Sequence, residues 1–308
     1  MMNTANIIVI GSSNSDMVIQ SEKLPKPGET VLGKKFFMNP GGKGANQAVA
    51  ASRLGGAVLF IARVGNDLFG KQAVFTFKKE GIDASFVVSD TQNPSGVALI
   101  SVDEKGENSI VVAPGANNAL NVDDIRRAEK EIAAAEIVLT QLEIPMNAVE
   151  FIGDITASAG KKLILNPAPA TTLSDALLKN IFVITPNETE AEILSGITVV
   201  DEISAAQAAK KIRARGVQNV IITMGGSGAF ILSDEFSGLV AAPKVKALDT
   251  TAAGDVFNGA LAVALSEKMS IKEAVEFAVR AASVSVTRMG AQSSIPYKKE
   301  IAEMIFSA

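Results

Sequence analysis

Residues 137–166 read IVLTQLEIPMNAVEFIGDITASAGKKLILN, and the fold prediction starts from them. The apolar run 137–143 predicts a buried strand, 148–159 has helical spacing, and 162–166 is a second short apolar run. A strand, a helix and another strand form the unit from which parallel sheets are built. We therefore expect an α/β protein with a central, mostly parallel sheet covered by helices on both faces.

The same alternation extends along the chain in both directions. Strands are predicted at 6–11, 58–64, 181–185 and 219–223, and helices at 45–54, 68–80, 123–134, 256–267 and 271–287. Two groups of β-like segments, at 17–38 and 95–112, interrupt this pattern. We expect them to form a small second sheet, a lid or an interface, within a single domain over residues 1–308.

Composition excludes several classes of chemistry. The chain has 308 residues, a net charge of −4, and neither Cys nor His. Thiolate nucleophiles, His bases and Cys or His metal ligands are therefore impossible, and acid–base work falls to carboxylates, Lys or Tyr297. The sequence has no basic run that would indicate nucleic-acid binding. No apolar segment reaches membrane-spanning length. Residues 1–6 carry no signal-peptide pattern, so we expect a cytoplasmic protein.

Residues 249–260 read DTTAAGDVFNGA, with small residues between two aspartates and a helical pattern from the second one. Ala252, Ala253 and Gly254 allow a ligand to approach backbone N–H groups at a helix start, which suits phosphate oxygens. Asp255 would stand beside that anion and could accept a hydroxyl proton. The local alternative is that Asp255 only caps its helix.

Two further polar segments have a functional and a structural interpretation. Residues 39–48, NPGGKGANQA, are not a Walker A loop, but Lys43 and Asn46 offer donors suited to hydroxyl groups. The alternative is a plain loop leading into a helix. Asn14 and Asp16 follow the first strand, where open α/β sheets bind ligands. The alternative for them is an Asx turn.

Other candidate residues also follow predicted strands. Glu143, Asn187 and Glu190 come after apolar runs, at the edge where ligand groups gather. Residues 224–229, MGGSGA, form a glycine-rich turn that could lie against a nucleotide or simply close a hairpin. No dinucleotide fingerprint follows any strand, which argues against an oxidoreductase.

Together these segments resemble the PfkB, or ribokinase-type, family of carbohydrate kinases. Residues 41–48 resemble its N-terminal signature and 249–260 its C-terminal signature, and about the whole chain is covered. The remaining matches, in family order, are 11–16, 141–143, 166–169, 185–190 and 287–292. The resemblance implies a ribokinase-like fold with a β lid and ATP-dependent phosphorylation of the 5-hydroxyl of D-ribose.

The resemblance also implies roles for individual residues. Asp255 would be the general base, and Ala252, Ala253 and Gly254 would form the anion hole. The implied sugar ligands are Asn14, Ser15, Asp16, Gly42, Lys43, Gly44, Ala45, Asn46, Glu143 and Asp255. The implied ATP-site residues are Asn187, Thr223, Met224, Gly225, Gly226, Ser227, Gly228, Gly254, Asp255 and Val279.

Two metal ions and a homodimer follow from the same resemblance. Glu190 would order Mg²⁺ through water. The implied potassium site comprises Asp249, Thr251, Ser285, Arg288, Gly290 and Ser294, several through backbone carbonyls. Val279 stands where close relatives often carry His or Asn, so an apolar adenine contact and looser nucleotide preference are expected. Lid sheets would pair two subunits.

Two alternatives to ribose phosphorylation stay open at this point. One is another kinase of the family, acting on deoxyribose, fructose, a sugar acid, a nucleoside or a sugar phosphate. Lys43 is the one basic residue near the implied sugar site, which favours an uncharged sugar. The other is a sugar-binding protein without turnover, which would be expected to lose the base or the anion-hole glycine. Asp255 and Gly254 are both present.

Overall fold

The computed structural model describes residues 6–305, and its strands form two sheets. The strands are β1 Ile7–Ile10, β2 Asn14–Ser21, β3 Gly33–Gly41, β4 Val58–Gly65, β5 Asp83–Asp90, β6 Gly96–Val102, β7 Asn108–Ala113, β8 Ile137–Thr140, β9 Lys162–Leu165, β10 Val183–Ile184, β11 Asn219–Thr223, β12 Gly228–Leu232 and β13 Ser237–Ala241.

Helices cover the larger sheet. They are α1 Lys43–Arg53, α2 Leu68–Lys79, α3 Val122–Arg126, α4 Glu129–Ala134, α5 Met146–Ser158, α6 Asp175–Lys179, α7 Glu188–Ser195, α8 Glu202–Arg213, α9 Ala253–Ser266, α10 Ile271–Ser285 and α11 Lys298–Ile305. None of these helices is long and apolar enough to cross a membrane.

Over residues 6–305 the larger sheet has nine strands in the order β13-β12-β11-β10-β9-β8-β1-β4-β5. Seven neighbouring strands, from β11 to β5, run parallel, and β12 and β13 are antiparallel at one edge. This confirms the predicted α/β class with a mostly parallel sheet.

Strand β1 shows why the sheet is covered on both faces. Its four residues are fully buried and alternate between two cores, because successive strand side chains point to opposite faces. Ile7 and Val9 enter the core with α1, α9 and α10, whereas Ile8 and Ile10 enter the core with α5 and α8. A strand apolar throughout therefore requires helices on each side.

The smaller sheet has the order β3-β2-β6-β7, with β2 and β6 parallel at its centre. Its segments match the predicted β-like groups, but β2 begins at Asn14 and β3 ends at Gly41. The lid sheet, as we call β2, β3, β6 and β7, therefore carries Asn14 and Asp16 in a strand. The Asx-turn alternative for these residues is wrong.

Several element boundaries differ from the sequence prediction. The predicted helix 123–134 is two helices, α3 and α4, separated by a turn at Arg127 and Ala128. Strand β8 ends at Thr140, because the chain then leaves the sheet and the Leu142 amide donates to the Ala168 carbonyl at 2.9 Å. Strand β10 has two residues, because Pro186 follows shortly and has no N–H to donate.

The sequence prediction also missed several helices and strands. It lacked β5, β13, α6, α7, α8 and α11. Residues 1–5 and 306–308 lie outside the described range. The expectation that residues 1–6 carry no signal peptide therefore concerns residues that are almost all outside this range. The two ends of the predicted 1–308 domain are outside it as well.

Candidate active site

Two helix N-termini meet at the carboxyl edge of the parallel strands. Helix α1 begins at Lys43, directly after β3, and helix α9 begins at Ala253. These two helices pack against each other and against the sheet, and they carry the two sequence signatures. The groups that follow β1 and β8 lie at the same edge, where α/β sheets bind ligands.

The N-terminus of α9 is built without a side-chain cap. Ala252 is the N-cap in a left-handed conformation, with φ 61°, and makes no capping hydrogen bond to the residues described. The Ala253 amide donates to the Thr250 carbonyl at 3.2 Å. Among residues 6–305 the amides of Ala252, Gly254 and Asp255 have no acceptor, so they remain available to an anion.

Asp255 faces α1 and does not cap α9. Its side chain is 6% exposed. Its Oδ2 accepts from Asn46 Nδ2 at 2.9 Å, and its Oδ1 accepts from Gln47 Nε2 at 3.0 Å. The capping interpretation of Asp255 is therefore excluded, and the carboxylate lies in the first turn of α9 beside the unpaired amides.

The electrostatic setting of Asp255 suits a proton acceptor. Burial raises its pKa, and the nearby Glu143 charge acts in the same direction. The Lys43 ammonium group and the donors Asn46 and Gln47 lower the pKa but do not cancel the effect of burial. A buried carboxylate with a raised pKa is a stronger base than an exposed one, while amide donors favour its charged form.

The start of α1 is capped by residues from other elements. Gly42 is the N-cap, with φ 86°, a conformation that only glycine adopts without strain. Glu143 Oε2 accepts the Lys43 amide at 3.0 Å and the Ser12 hydroxyl at 2.5 Å. A Cβ on Gly44 would lie 2.5 Å from the Ser12 amide, so a side chain there would push α1 away from the sheet.

Asn14 is held by a residue that the sequence did not single out. Asn117 Nδ2 donates to Asn14 Oδ1 at 2.7 Å, and Asn117 Oδ1 accepts the Ser13 amide at 2.8 Å. Asn117 is 2% exposed and lies in a 3₁₀ turn after β7. Fixing Asn14 Oδ1 in this way leaves the Asn14 Nδ2 group as the donor of this side chain that is available to a ligand.

The carboxylates of Asp16, Glu143, Asp255 and Glu190 lie close enough to the Lys43 ammonium group or to one another to interact electrostatically. Burial, followed by the charges of Glu143 and Asp255, raises the pKa of Asp16 to about 6. Burial lowers the pKa of Lys43, but Asp255, Glu143 and Glu190 together raise it above its usual value. Such a cluster offers many acceptors for hydroxyl donors while one cation limits its charge.

One buried atom also indicates a ligand. Asn46 is 6% exposed, and its Oδ1 has no hydrogen-bond partner within the described part of the chain. Unpaired buried acceptors are costly, and they are tolerated where a ligand supplies the donor. The amino acids that the resemblance assigns to sugar binding therefore include a buried acceptor, Asn46 Oδ1, that is available to a sugar hydroxyl group.

The residues assigned to ATP lie in two settings. The segment 224–227 connects β11 to β12 as a hairpin, and a Cβ on Gly226 would meet nothing within 4 Å. That open surface leaves room for a nucleotide beside the turn. Val279 is 5% exposed and belongs to the core under α10, so little of its side chain is available to a base.

Asn187 and Glu190 form a capping box at the start of α7. Glu190 donates its amide to Asn187 Oδ1 at 2.8 Å, and Asn187 donates its amide to Glu190 Oε2 at 2.9 Å. The pairing satisfies two helix-terminal amides and leaves Asn187 Nδ2 and Glu190 Oε1 uncommitted. Burial raises the pKa of Glu190, although the Asn187 amide and Lys43 oppose this.

The residues assigned to potassium lie on the loop before α9, at the last residue of α10 and on the segment that follows α10. Asp249 Oδ1 accepts the Thr251 amide at 2.9 Å, and its Oδ2 accepts the Gly290 amide at 2.8 Å. The Ser285 carbonyl accepts the Arg288 amide at 3.0 Å. Ser294 is fully buried. The structure thus joins the loop before α9 to the loop after α10, with oxygen atoms as the available ligands.

Acidic clustering does not define a metal site in the described residues. No group of three or more Asp or Glu side chains within 6–305 is arranged to hold a metal ion.

Comparison with known proteins assigns the chain to a family. The model of the pfkB family carbohydrate kinases matches residues 4–298. A ribokinase of Haemophilus influenzae is 47% identical over 97% of this chain and 98% of its own. A deoxyribokinase of Salmonella typhi is 37% identical over 97% and 98%. The Arabidopsis thaliana ribokinase, solved with ribose and ATP, is 32% identical, with a TM-score of 0.91 over 98% and 99%.

The chain belongs to the pfkB family of carbohydrate kinases. It is an enzyme of this class, and it is similar to ribokinases over nearly their whole length.

Proposed function

We propose that this enzyme transfers the γ-phosphoryl group of ATP to the 5-hydroxyl of D-ribose, with Asp255 as the general base. The observation that carries this is the buried Asp255 carboxylate beside the unpaired amides of Gly254 and Asp255 at the start of α9. A base next to an anion-binding helix terminus is the arrangement that phosphoryl transfer to a hydroxyl needs.

The sugar is bound by the residues around the carboxylates of Asp16, Glu143 and Asp255. Asp16 and Glu143 accept hydrogen bonds from sugar hydroxyl groups, and Asn46 Oδ1 accepts one more. Lys43 and Asn14 donate hydrogen bonds to hydroxyl oxygens. Gly42, Gly44 and Ala45 bring the α1 backbone close to the sugar, and Ser15 lies beside Asn14 and Asp16 in β2. Asp255 takes the 5-hydroxyl proton as its oxygen attacks phosphorus.

The phosphate side uses backbone donors. The amides of Ala252, Gly254 and Asp255 hold the oxygens of the transferring group, whereas the Ala253 amide is bonded to the Thr250 carbonyl and lends only its place in the turn. Bound ATP with Mg²⁺ supplies the phosphoryl donor and neutralises its charge. Thr223, the turn 224–228 and Asn187 would hold the nucleotide. Glu190 would order Mg²⁺ through water. Val279 is buried in the core, so at most its edge would reach the adenine. We place the reaction in the cytoplasm, where ATP is available.

A panel of substrates tests the function and separates it from the deoxyribose alternative, which the 37% identity to a deoxyribokinase supports. ADP release is measured with ribose, 2-deoxyribose, fructose and nucleosides. We expect the highest kcat/KM with ribose and a 5-phosphate product. A higher kcat/KM with 2-deoxyribose would replace the substrate and keep the mechanism. Lack of turnover with every substrate in the panel would contradict the proposed sugar kinase activity.

Asp16→Asn should separate ribose binding from stability. The pKa of Asp16 in the folded protein is raised to about 6, so Asp16 is ionised above that pH. Its buried charge then lowers the stability of the ligand-free protein. The variant is therefore expected to have a higher Tm than the wild type at pH 7.5, with the difference fading as pH falls from about 6 to about 4.

The same variant loses a charged acceptor for ribose. We expect its ribose Kd at pH 7.5 to rise about 10- to 100-fold, since hydrogen bonds to charged groups contribute about 1.5–3 kcal/mol. In the wild type, ribose affinity should fall as pH decreases through about 6. Calorimetric titration checks both. Unchanged affinity in Asp16→Asn would remove Asp16 from the sugar site.

Potassium is expected to raise activity several-fold, and sodium is not. The reason is that Asp249 bridges the loops at Thr251 and Gly290, so a cation held by their carbonyls would fix the α9 amides without touching substrate. Initial rates are measured in matched KCl and NaCl. Asp249→Asn should abolish the difference, and equal wild-type rates in the two salts would refute the potassium site.

A homodimer through the lid sheet is expected at micromolar concentration. The sheet exposes a set of large apolar side chains, among them Phe36 at 59%, Leu99 at 54% and Val111 at 66%. Such a contiguous apolar face marks an interaction surface. Val111→Lys should convert the dimer to a monomer in sedimentation velocity, whereas Leu68→Lys, on the exposed side of α2, should not. A monomeric wild type would contradict this interface.

A further inference from the structure

Gln47 is a buried polar residue that the proposed reaction does not yet use. It is fully buried, and its Nε2 donates to Asp255 Oδ1 and to Asn166 Oδ1, both at 3.0 Å. Its Oε1 accepts from Gln141 Nε2 at 2.6 Å. Both amide hydrogens and the amide oxygen are therefore committed, which fixes the side chain in one orientation.

The contacts continue into a ring that returns to Asp255. Asn166 Nδ2 donates to the Thr185 carbonyl at 3.4 Å, and the Thr185 hydroxyl donates to Asn258 Oδ1 at 2.7 Å. Asn258 Nδ2 donates to the Gly254 carbonyl at 2.8 Å. We call Gln47, Asn166, Thr185 and Asn258 the amide ring; the Gly254–Asp255 peptide closes it.

The sheet provides a rigid support for this ring. Gln141, Asn166 and Thr185 are each the first residue after a parallel strand, namely β8, β9 and β10. All three are buried, and neighbouring strands hold them at one edge. Gln47, Asn166, Thr185 and Asn258 are bonded to one another or to Asp255 and Gly254, although Gln141 Oε1 has no partner among the described residues. Hydrogen-bonded side chains on rigid elements keep one geometry, as a reacting group requires.

The ring reaches the two groups that the reaction depends on. Gln47 holds one oxygen of the Asp255 carboxylate from the protein side, leaving Oδ2 toward Asn46 and the cleft. Asn258 bonds the Gly254 carbonyl, which belongs to the same peptide plane as the Asp255 amide. One network therefore sets the direction of the base and of an anion-binding amide.

We infer that Gln47 is a positioning residue for phosphoryl transfer: acting through the amide ring, it holds the Asp255 carboxylate and the adjoining amide in their reactive orientation. This inference rests on the proposed role of Asp255. It assigns to Gln47 an effect on turnover and not on ribose binding, because its side chain lies behind Asp255 and has no open atom to offer a sugar.

Gln47→Met tests the inference because it keeps the side-chain length and removes the hydrogen bonds. We expect kcat to fall about 10- to 100-fold, since a misplaced catalytic group costs about that much. Ribose Kd and KM should stay within a few-fold. The acid limb of kcat should move to higher pH, because Asp255 loses a donor to its charged form, while the facing groups Lys43, Asp16, Glu143 and Glu190 are unchanged.

A matched variant controls for the loss of a buried amide. Asn219 is 8% exposed at the amino end of β11, away from the site, and donates to the Phe182 carbonyl at 2.9 Å. Asn219→Leu should lower Tm without altering kcat or its pH profile. Gln141→Met, which removes only the bond to Gln47 Oε1, should shift kcat in the same direction as Gln47→Met by a smaller factor.

The outcomes distinguish this inference from the proposed function. If Asp255→Asn is inactive but Gln47→Met and Gln141→Met keep the wild-type kcat and acid limb, the inference is wrong and Asp255 remains the base. If Asp255→Asn keeps wild-type turnover, the proposed function itself fails. A fall in kcat with unchanged ribose Kd and a shifted acid limb supports positioning, since a purely structural role would not move that limb.

Discussion

Asp255→Asn is expected to lower kcat by about 100-fold or more while the fold and ribose binding persist, which is the size of effect that loss of a general base produces. The amide occupies the space of the carboxylate, so the core around α9 stays filled. The amide introduced by this substitution cannot accept the proton of the sugar hydroxyl group. The attacking oxygen must therefore lose its proton to water.

Three measurements separate this result from unfolding. Tm and ribose Kd should remain near their wild-type values, and kcat should become nearly independent of pH on its acid side. A variant with wild-type turnover would show that another group accepts the proton. A variant that no longer binds ribose would show that Asp255 chiefly holds the sugar.

Gly254→Ala is expected to reduce kcat about 100-fold or more without destabilising the protein. Gly254 lies in the first turn of α9, and a Cβ built on it meets no atom within 4 Å, so the methyl group would project into the cleft. There it would occupy space beside the amides assigned to the transferring phosphate, where loss of one donor costs about 100-fold or more.

Helix propensity makes the sign of the stability change a useful check. Ala is favoured over Gly in a helix by up to about 1 kcal/mol, so Tm should stay level or rise. Ser266→Ala, in the last turn of α9, changes the same helix far from its N-terminus and should leave turnover near wild type. Full activity in Gly254→Ala would mean that the phosphate does not lie against this turn.

The sequence predicts the sheet well because burial on both faces leaves a local signature. The run at β1 is apolar at every position, and the stretch 137–166 alternates strand and helix spacing within one unit. Strand β5 lacks this signature, since it is an edge strand with mixed burial, and the prediction omitted it. Short β10 was overestimated, because the apolar run continues past the point where pairing stops.

The site was predictable only where its residues carry local meaning. Glycines before α1 and in the first turn of α9 signal close backbone approach, so both helix N-termini could be found. Gln47 gives no such signal, because its role depends on contacts with Asp255, which is 208 positions away, and with Gln141. Asn117 likewise acts on Asn14 from 103 positions away.

Polar residues directly after strands were the available clue. Gln141, Asn166 and Thr185 each follow a buried strand, as the residues assigned to the site also do. The sequence could not say whether Asp255 caps α9, because a cap and a base have the same local pattern. The tertiary contact with α1 decides between them.

The most direct test of the account is a crystal structure with ribose and a non-hydrolysable ATP analogue bound together. We predict that an Asp255 carboxylate oxygen lies about 2.6–3.2 Å from the ribose 5-hydroxyl, with the Gly254 or Asp255 amide donating to the terminal phosphate. A complex in which that carboxylate faces away from both ligands would contradict the mechanism.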